Sequence, residues 1–232
     1  MESCICVQPP TTAINDYARY FKMNLDYCFP TPIWWEHTGF NTDPMIDLTY
    51  RLMEQDPQGR RLSNQGGWQS KDFRPGVYPE FAEIEQKIIK QTNQCVLDFG
   101  YDPSSCFTVL ENIWINVNRK YHSNSVHIHD NSFISGAFYL KAGPGQGNIN
   151  FYKSYSQDFA IASAARIANY TQLNNSAMAF TPETGKLIMF PGWLPHGVDQ
   201  NETEHDRISI SFNTKIIRTD DEYYRSTHTQ RN

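Results

Sequence analysis

In two stretches of the 232-residue chain every second residue is apolar and those between are mostly polar, and this period of two most limits how the chain can fold. Residues 112–118 carry Ile, Ile and Val at every second position, with Asn and Trp between them. Residues 207–213 alternate Ile, Ile and Phe with Arg, Ser and Asn. Successive side chains of a strand point to opposite faces of a sheet, so each stretch predicts a strand with one apolar and one polar face.

The rest of the chain predicts a mainly β fold with flanking helices. Shorter strand candidates lie at 135–141, 148–152 and 186–190, joined by turns rich in Gly and Pro. Aromatic residues make up 14% of the sequence, a composition that favours half-buried sheets. Several short strands separated by turn signals are typical of a sandwich or jelly roll.

Two helices and two irregular stretches are predicted outside those strands. Apolar residues three, four or seven positions apart predict a helix between Pro79 and Gly100, and a second helix is expected near 43–54. Residues 63–70 contain too many turn residues for regular structure. The two prolines in 29–35 exclude a central strand there but allow an edge strand.

We expect a single domain with short extensions. Residues 1–27 form an N-terminal extension, 28–218 the jelly-roll domain, and 219–232 a polar C-terminal tail. Residues 153–180 are long for a connection and are a candidate lid, with a possible helix at 159–170.

Charge and cysteine content exclude several classes of protein. The chain has 20 Lys and Arg against 25 Asp and Glu, giving a net charge of −5, with no basic cluster beyond Arg60-Arg61. Nucleic-acid binding is therefore not expected. No apolar run approaches the roughly 20 residues of a membrane span. The five cysteines include no Cys-x-x-Cys pair, which favours a reducing cytoplasm. The sequence does not determine the oligomeric state.

Three histidines have the spacing of metal ligands. His127 and His129 are two residues apart, which places both imidazoles on one face of a strand. His196 follows a strand candidate and a Pro/Gly turn, and is the candidate third ligand. Such side chains can converge on one ion. A His-x-His pair alone, however, is more often incidental.

Arg207 and Ser209 share a strand face eleven residues after the last of these histidines. A guanidinium and a hydroxyl together can receive a carboxylate, because the planar fork donates two parallel hydrogen bonds. The alternative is a surface arginine paired with Asp206 or Glu204.

Taken with the segments 135–140 and 190–196, these motifs resemble the Fe(II)- and 2-oxoglutarate-dependent oxygenases. The sequence is most similar to a small branch of that superfamily known from marine bacteria and their phages. The resemblance implies a double-stranded β-helix, a cupin-like jelly roll that uses Fe(II), 2-oxoglutarate and O2. It also implies that His127 and His196 bind the iron, while Arg207 and Ser209 hold the distal carboxylate of 2-oxoglutarate.

One position departs from the superfamily pattern, because His129 stands where a carboxylate is usual. Three possibilities follow: His129 is the third ligand, water takes the position, or Asp130 reaches the metal. Strand geometry favours His129, since Asp130 would point to the opposite face.

The remaining pocket candidates are inferred from strand faces. Tyr139 either hydrogen-bonds the cosubstrate or packs in the core. Asn116 either lines the cavity or faces solvent, since an unsatisfied buried amide is costly. Trp114 and Trp193 are expected in the core or the pocket wall.

The function that the resemblance implies is that of an oxidoreductase, a dioxygenase acting as a hydroxylase. It couples decarboxylation of 2-oxoglutarate to succinate with oxidation of a substrate C–H bond. A peptidyl or prolyl side chain, a free amino acid and a small metabolite are all compatible substrates. The alternatives are a metal- or carbohydrate-binding jelly roll and a three-histidine iron dioxygenase that does not use 2-oxoglutarate. We expect the protein in the cytoplasm of a bacterium or of a phage-infected host cell.

Overall fold

The computed structural model describes residues 24, 26, 28–153, 171 and 175–221. Contacts divide the chain into two units, residues 1–31 and residues 32–232. The described part of the first unit contains no helix or strand. The helix predicted at 159–170 lies outside the described residues.

The second unit contains two α-helices and eleven strands in its described residues. The helices are α1 (Asp43–Gln55) and α2 (Ala82–Asp98), and a short 3-10 turn (Pro79–Phe81) leads into α2. The strands are β1 (Trp34–His37), β2 (Asn64–Gln65), β3 (Trp68–Gln69), β4 (Cys106–Asn118), β5 (Ser123–His127), β6 (Ile134–Lys141), β7 (Ile149–Tyr152), β8 (Ala177–Phe180), β9 (Lys186–Pro191), β10 (His196–Val198) and β11 (Arg207–Arg218).

The strands form two antiparallel sheets. The major sheet has the order β1-β9-β6-β11-β4-β3, and the minor sheet has the order β2-β5-β10-β7-β8. Sequence neighbours are seldom sheet neighbours, as expected when a chain crosses between the two layers of a jelly roll. The predicted mainly β fold with flanking helices is therefore confirmed.

The predicted two-faced strands are the long central pair β4 and β11, which extend beyond the predicted limits. Ile113 and Ile115 on β4, and Ile208 and Ile210 on β11, are fully buried on one face. This face belongs to the main hydrophobic core, which also contains Ile84 and other apolar residues of α2. The opposite face turns toward the minor sheet and carries the polar residues. The alternation thus separates a core face from a cavity face.

Both predicted helices are confirmed. Ile84, Ile88 and Cys95 supply the buried stripe of α2. Gly100 follows its end with a φ of 74°, a left-handed conformation that glycine adopts without steric cost. Helix α1 begins at Asp43 and buries Met45 among other residues. The helices cover the outer face of the major sheet, so its inner face is left for the site.

The prediction of an irregular segment at 63–70 is wrong in part, because β2 and β3 lie within it. Trp68 and Gln69 pair with β4, and the Ser70 N–H donates to the Ile115 carbonyl at 2.9 Å. The edge of β4 supplies these hydrogen bonds, and they outweigh the preference of residues 63–70 for turns. In the candidate lid, residues 177–180 form strand β8. Strand β1 lies at the edge of its sheet, as the prolines predicted.

Candidate active site

The three candidate histidines meet between the two sheets, and one of them does not lie on a strand as predicted. His127 is the last residue of β5 and lies opposite His196, the first residue of β10. His129 lies beyond the end of β5, so the expectation that both imidazoles share a strand is wrong. Its N–H donates instead to the Gly192 carbonyl at 2.9 Å. A Cβ on Gly192 would lie 2.5 Å from the Ser132 carbonyl oxygen and 3.0 Å from that of His129, so the tight packing of this turn requires glycine.

One nitrogen of each imidazole converges on a common point. The three candidate nitrogens all lie within 4.8 Å of one another. The Nε2 atoms of His129 and His196 are 3.2 Å apart. Neighbouring ligands at about 2 Å from one ion have similar separations. Asp130 is exposed and lies outside this cluster.

Hydrogen bonds to main-chain carbonyls fix two of the imidazole tautomers. The Nδ1 atom of His127 lies 2.8 Å from the Ser125 carbonyl oxygen, and that of His196 lies 2.9 Å from the Leu194 oxygen. A carbonyl only accepts, so each Nδ1 carries the proton and each Nε2 keeps a free lone pair. Such bonds commonly orient metal-binding histidines.

Burial keeps His129 and His196 neutral near pH 7. Burial, with repulsion from His127, lowers the pKa of His129 to about 4. Burial also lowers the pKa of His196 to about 3, again with a contribution from His127. Neutral imidazoles are the form that binds metal. The three side chains therefore fit a divalent cation by donor type, tautomer and separation.

Arg207 places a buried cation in the same cavity. Its side chain lines the cavity with the three histidines, and the residue is only 2% exposed. Its Nη1 donates to the carbonyls of Gln146 and Gly147, the latter at 3.0 Å. Among the described residues no carboxylate forms an ion pair with it; Asp199 accepts from Nη1 through its main-chain carbonyl at 3.5 Å, and its carboxylate charge acts on the guanidinium from a longer distance. Burial lowers the pKa of this guanidinium.

The surface pairing considered for Arg207 does not occur. Asp206 accepts a hydrogen bond from Tyr50 at 3.0 Å, and Glu204 pairs with Lys120. The buried positive charge has no carboxylate partner among these residues, so it is available to an anion.

Gly147 makes room for the Arg207 side chain, and the sequence did not predict this role. Its φ is 85°, and a Cβ there would lie 2.2 Å from the Asp199 oxygen and 2.7 Å from Arg207 Nη1. The turn signal at 143–147 marks the glycine, but only the fold shows what approaches it.

Three adjoining strands bring the other candidates beside the arginine. Ser209 on β11 lies opposite Tyr139 on β6 and Asn116 on β4. All three are buried and line the cavity, so Asn116 does not face bulk solvent. The Asn116 Nδ2 donates to Ser211 Oγ at 3.0 Å. Within the described part of the chain, the hydroxyls of Tyr139 and Ser209 have no hydrogen-bond partner.

Burial raises the pKa of Tyr139 to about 12, although Arg207 opposes this shift. The phenol is therefore neutral and can donate. Trp114 lines the cavity with its ring centroid 5.7 Å from that of His129, as expected for a pocket wall. Trp193 is 58% exposed, so its predicted burial is wrong; it follows the tight turn at Gly192 and points outward.

No helix among the described residues is both long and apolar enough to cross a membrane.

Comparisons with solved structures identify the fold. A prolyl-4-hydroxylase from Pseudomonas putida aligns with a TM-score of 0.53 and 13% identity, over 80% of this chain and 93% of its own. HygX from Streptomyces hygroscopicus, with nickel and 2-oxoglutarate bound, aligns with a TM-score of 0.52 and 15% identity, over 80% and 83%. The epimerase SnoN, in complex with Fe3+, alpha ketoglutarate and nogalamycin RO, aligns with a TM-score of 0.53 and 8% identity, over 80% of this chain and 79% of its own. At these identities the likeness shows the double-stranded β-helix fold alone.

The family comparison covers the site itself. Residues 112–213 match the family described as "Putative 2OG-Fe(II) oxygenase", a range that contains all the candidate ligands and Arg207. A search of curated proteins finds no match. The matched segment, a little less than half of the chain, and the fold agree, and both indicate similarity to the 2OG-Fe(II) oxygenases, which are oxidoreductases.

Proposed function

We propose that this protein is an Fe(II)- and 2-oxoglutarate-dependent hydroxylase that binds 2-oxoglutarate through Arg207 and inserts one oxygen atom into a substrate C–H bond. The observation that carries the proposal is the buried guanidinium without an ion-paired carboxylate among the described residues, in one cavity with three convergent imidazoles. Burying an unpaired charge costs several kcal/mol. A bound anion would offset that cost, and 2-oxoglutarate carries two carboxylates.

In this proposal His127, His129 and His196 hold Fe(II) through their Nε2 atoms. The exposed position of Asp130 favours His129 as the third ligand. Three neutral ligands leave the full charge of the ion on the site, which strengthens its attraction for a dianion. The bound metal supplies the redox chemistry that couples O2 and 2-oxoglutarate, giving succinate, carbon dioxide and hydroxylated substrate.

The protein positions the cosubstrate and excludes water. The free face of the Arg207 guanidinium donates to the distal carboxylate, assisted by the Tyr139 and Ser209 hydroxyls. Asn116 keeps the neighbouring strand face polar through its bond to Ser211. Phe190, whose ring centroid lies 4.5 Å from that of His196, shields the metal side of the cavity.

Hydroxylation is proposed because it is the simplest outcome of this chemistry, and the fold alone does not choose it. The prolyl-4-hydroxylase and the epimerase SnoN both have this fold. Peptidyl, prolyl and small-molecule substrates remain compatible with the metal and cosubstrate sites.

The test is an anaerobic titration of the protein with Fe(II) and then 2-oxoglutarate, followed by the visible metal-to-ligand charge-transfer band. We expect the band in wild type and in Arg218→Ala, a matched arginine at the opposite, exposed end of β11. Arg207→Ala should weaken 2-oxoglutarate binding by about tenfold to more than a hundredfold, because charged hydrogen bonds contribute about 1.5–3 kcal/mol each. His129→Ala should weaken iron binding.

Other results would contradict specific parts of the proposal. Iron binding without a band in wild type would favour a three-histidine dioxygenase that does not use 2-oxoglutarate, or a binding module. An unchanged band in Arg207→Ala would remove this residue from the cosubstrate site. Succinate formation without an added oxygen atom in the substrate would contradict hydroxylation.

A further inference from the structure

A second cavity of about 550 Å³ opens beside the cluster of three histidines, and we call it the amide groove. It shares Ser63, Trp114, His127 and His129 with the cavity that the three histidines and Arg207 line. A substrate in this groove would therefore lie next to the proposed iron. Its volume is in the range of binding sites for organic ligands.

The lining of the groove includes two amide side chains that are not fully hydrogen-bonded. Gln69 is only 3% exposed, and its side-chain amide has no hydrogen-bond partner among the described residues. Asn112 donates from Nδ2 to the Asp72 carboxylate at 2.9 Å. Because a carboxylate only accepts, this bond fixes the amide orientation, and the Asn112 Oδ1 is left buried without a donor. A buried polar atom without a partner is costly and needs an explanation, and among the described residues of this lining that atom is Asn112 Oδ1.

The charge of this lining is already balanced. Asp72 accepts from Arg60 Nη1 at 2.7 Å, so the carboxylate that orients Asn112 has its own cation. The groove therefore offers amides to a ligand and no uncompensated charge among its described residues. A strongly charged metabolite would find no partner here, whereas a neutral peptide group would match the amides as donor and acceptor.

The wall of the groove is an unpaired strand edge. Strand β2 pairs with β5 only at Asn124 and Ser123, extended by the bond from Ser125 N–H to the Ser63 carbonyl. No strand in the described chain pairs with residues 126–127 on that side of β5. Open main-chain groups at a strand edge can accept an extended peptide as an added strand.

Exposed aliphatic side chains flank the same edge. Leu62 is 63% exposed, Val126 57% and Ile128 47%, and all three line the groove. Alternate side chains of an added strand would pack on them, whereas a small polar metabolite would leave them in water.

We propose that the substrate is an extended, uncharged polypeptide segment that adds to the edge of β5 and hydrogen-bonds to Gln69 and Asn112. This inference rests on the proposed function, and it selects a peptidyl substrate over a small molecule. Gln69 belongs to the Gly66-Gly-Trp-Gln-Ser70 segment, to which the metal and cosubstrate sites give no role.

The experiment uses the metal-free full chain, so its result does not depend on iron or 2-oxoglutarate binding. The probes are blocked pentapeptides, acetyl-Ala-Ala-Xaa-Ala-Ala-amide, one for each amino acid, and the corresponding blocked single residues, acetyl-Xaa-amide. Binding is measured by isothermal titration calorimetry and by intrinsic tryptophan fluorescence, since Trp114 lines the groove. We expect at least one pentapeptide with an uncharged central residue to bind, more tightly than its single-residue counterpart.

Three variants test the contacts. Gln69→Leu and Asn112→Leu should each weaken pentapeptide binding by about threefold to tenfold, the value of one neutral hydrogen bond. Val126→Glu, at an exposed position, should weaken it at least as much without touching the core. Gln94→Leu is the matched control, an exposed amide on α2 that should bind as wild type does. Circular dichroism verifies that each variant is folded.

The proposal is overturned if no pentapeptide binds up to its solubility limit, if single residues bind as tightly, or if all three groove variants bind as the control does. Each of these results could occur beside a normal charge-transfer band. Failure of the substrate assignment is thus distinguishable from failure of the proposed function.

Discussion

Replacing Gly147 with alanine should destabilise the protein strongly, because this glycine makes room for the buried arginine. Alanine at a φ of 85° costs about 1–2 kcal/mol in backbone strain. Its Cβ would also lie 2.7 Å from Arg207 Nη1, so the arginine or the neighbouring Asp199 carbonyl must move. Losing one hydrogen bond to a charged group costs about 1.5–3 kcal/mol. The sum is about 2.5–5 kcal/mol, a large part of a typical stability of about 5–15 kcal/mol.

Two other glycines separate these contributions. Gly185 has a φ of 81° with nothing within 4 Å of an added Cβ, so Gly185→Ala measures the backbone strain alone. Gly143 lies outside the left-handed region, and its nearest atom is 4.0 Å away, so Gly143→Ala should change stability by less than about 0.5 kcal/mol.

The assay is urea denaturation of the three variants, followed by circular dichroism. The expected order of destabilisation is Gly147→Ala, then Gly185→Ala, then Gly143→Ala. At about 2–4 °C per kcal/mol, Gly147→Ala should also lower the Tm by about 5–20 °C. If Gly147→Ala destabilises no more than Gly185→Ala, the close packing of this glycine against Arg207 does not matter.

Three further predictions concern the metal site, the thiols and alkaline stability. His129→Asp, which restores a carboxylate ligand, should keep the Fe(II) and 2-oxoglutarate band that His129→Ala weakens; loss of the band in both would contradict ligation at this position. Cys28 is exposed and should react with a thiol reagent in the native protein, whereas burial raises the pKa of Cys95 to about 12 and should protect it until urea unfolds the chain. Burial and the hydrogen bond to Asp206 raise the pKa of Tyr50 to about 12, so its stabilising effect is complete below pH 10 and is lost as the pH rises toward 12. The stability curves of wild type and Tyr50→Phe should converge over that interval, and parallel curves would refute the shift.

The sequence predicted those features that depend on local periodicity. The alternation in 112–118 and 207–213 identified the central strands and their apolar face, but it left open whether the amide face of 112–118 lines a cavity or faces solvent. The spacing of apolar residues identified α2 and its end at Gly100. These patterns are readable because burial on one face selects residues at the period of the element itself.

Strand pairing and close approach could not be read in the same way. Residues 63–70 have turn composition, yet β3 forms there because β4 offers it an edge. His129 lies past the end of its strand and is held by the distant Gly192 carbonyl. Glycine is required at position 147 because the Asp199 oxygen and Arg207, both far along the chain, pack against it.

The sequence by itself therefore determined the two-faced strands, the main helices and the residue types of the site. The tertiary structure decided that three imidazoles converge within 4.8 Å, that Arg207 is buried without an ion-paired carboxylate among the described residues, and that Asn112 Oδ1 in the groove is buried without a donor. The physical reason is that periodicity is a property of neighbouring residues, whereas convergence, burial and hydrogen-bond satisfaction depend on segments that meet only after folding.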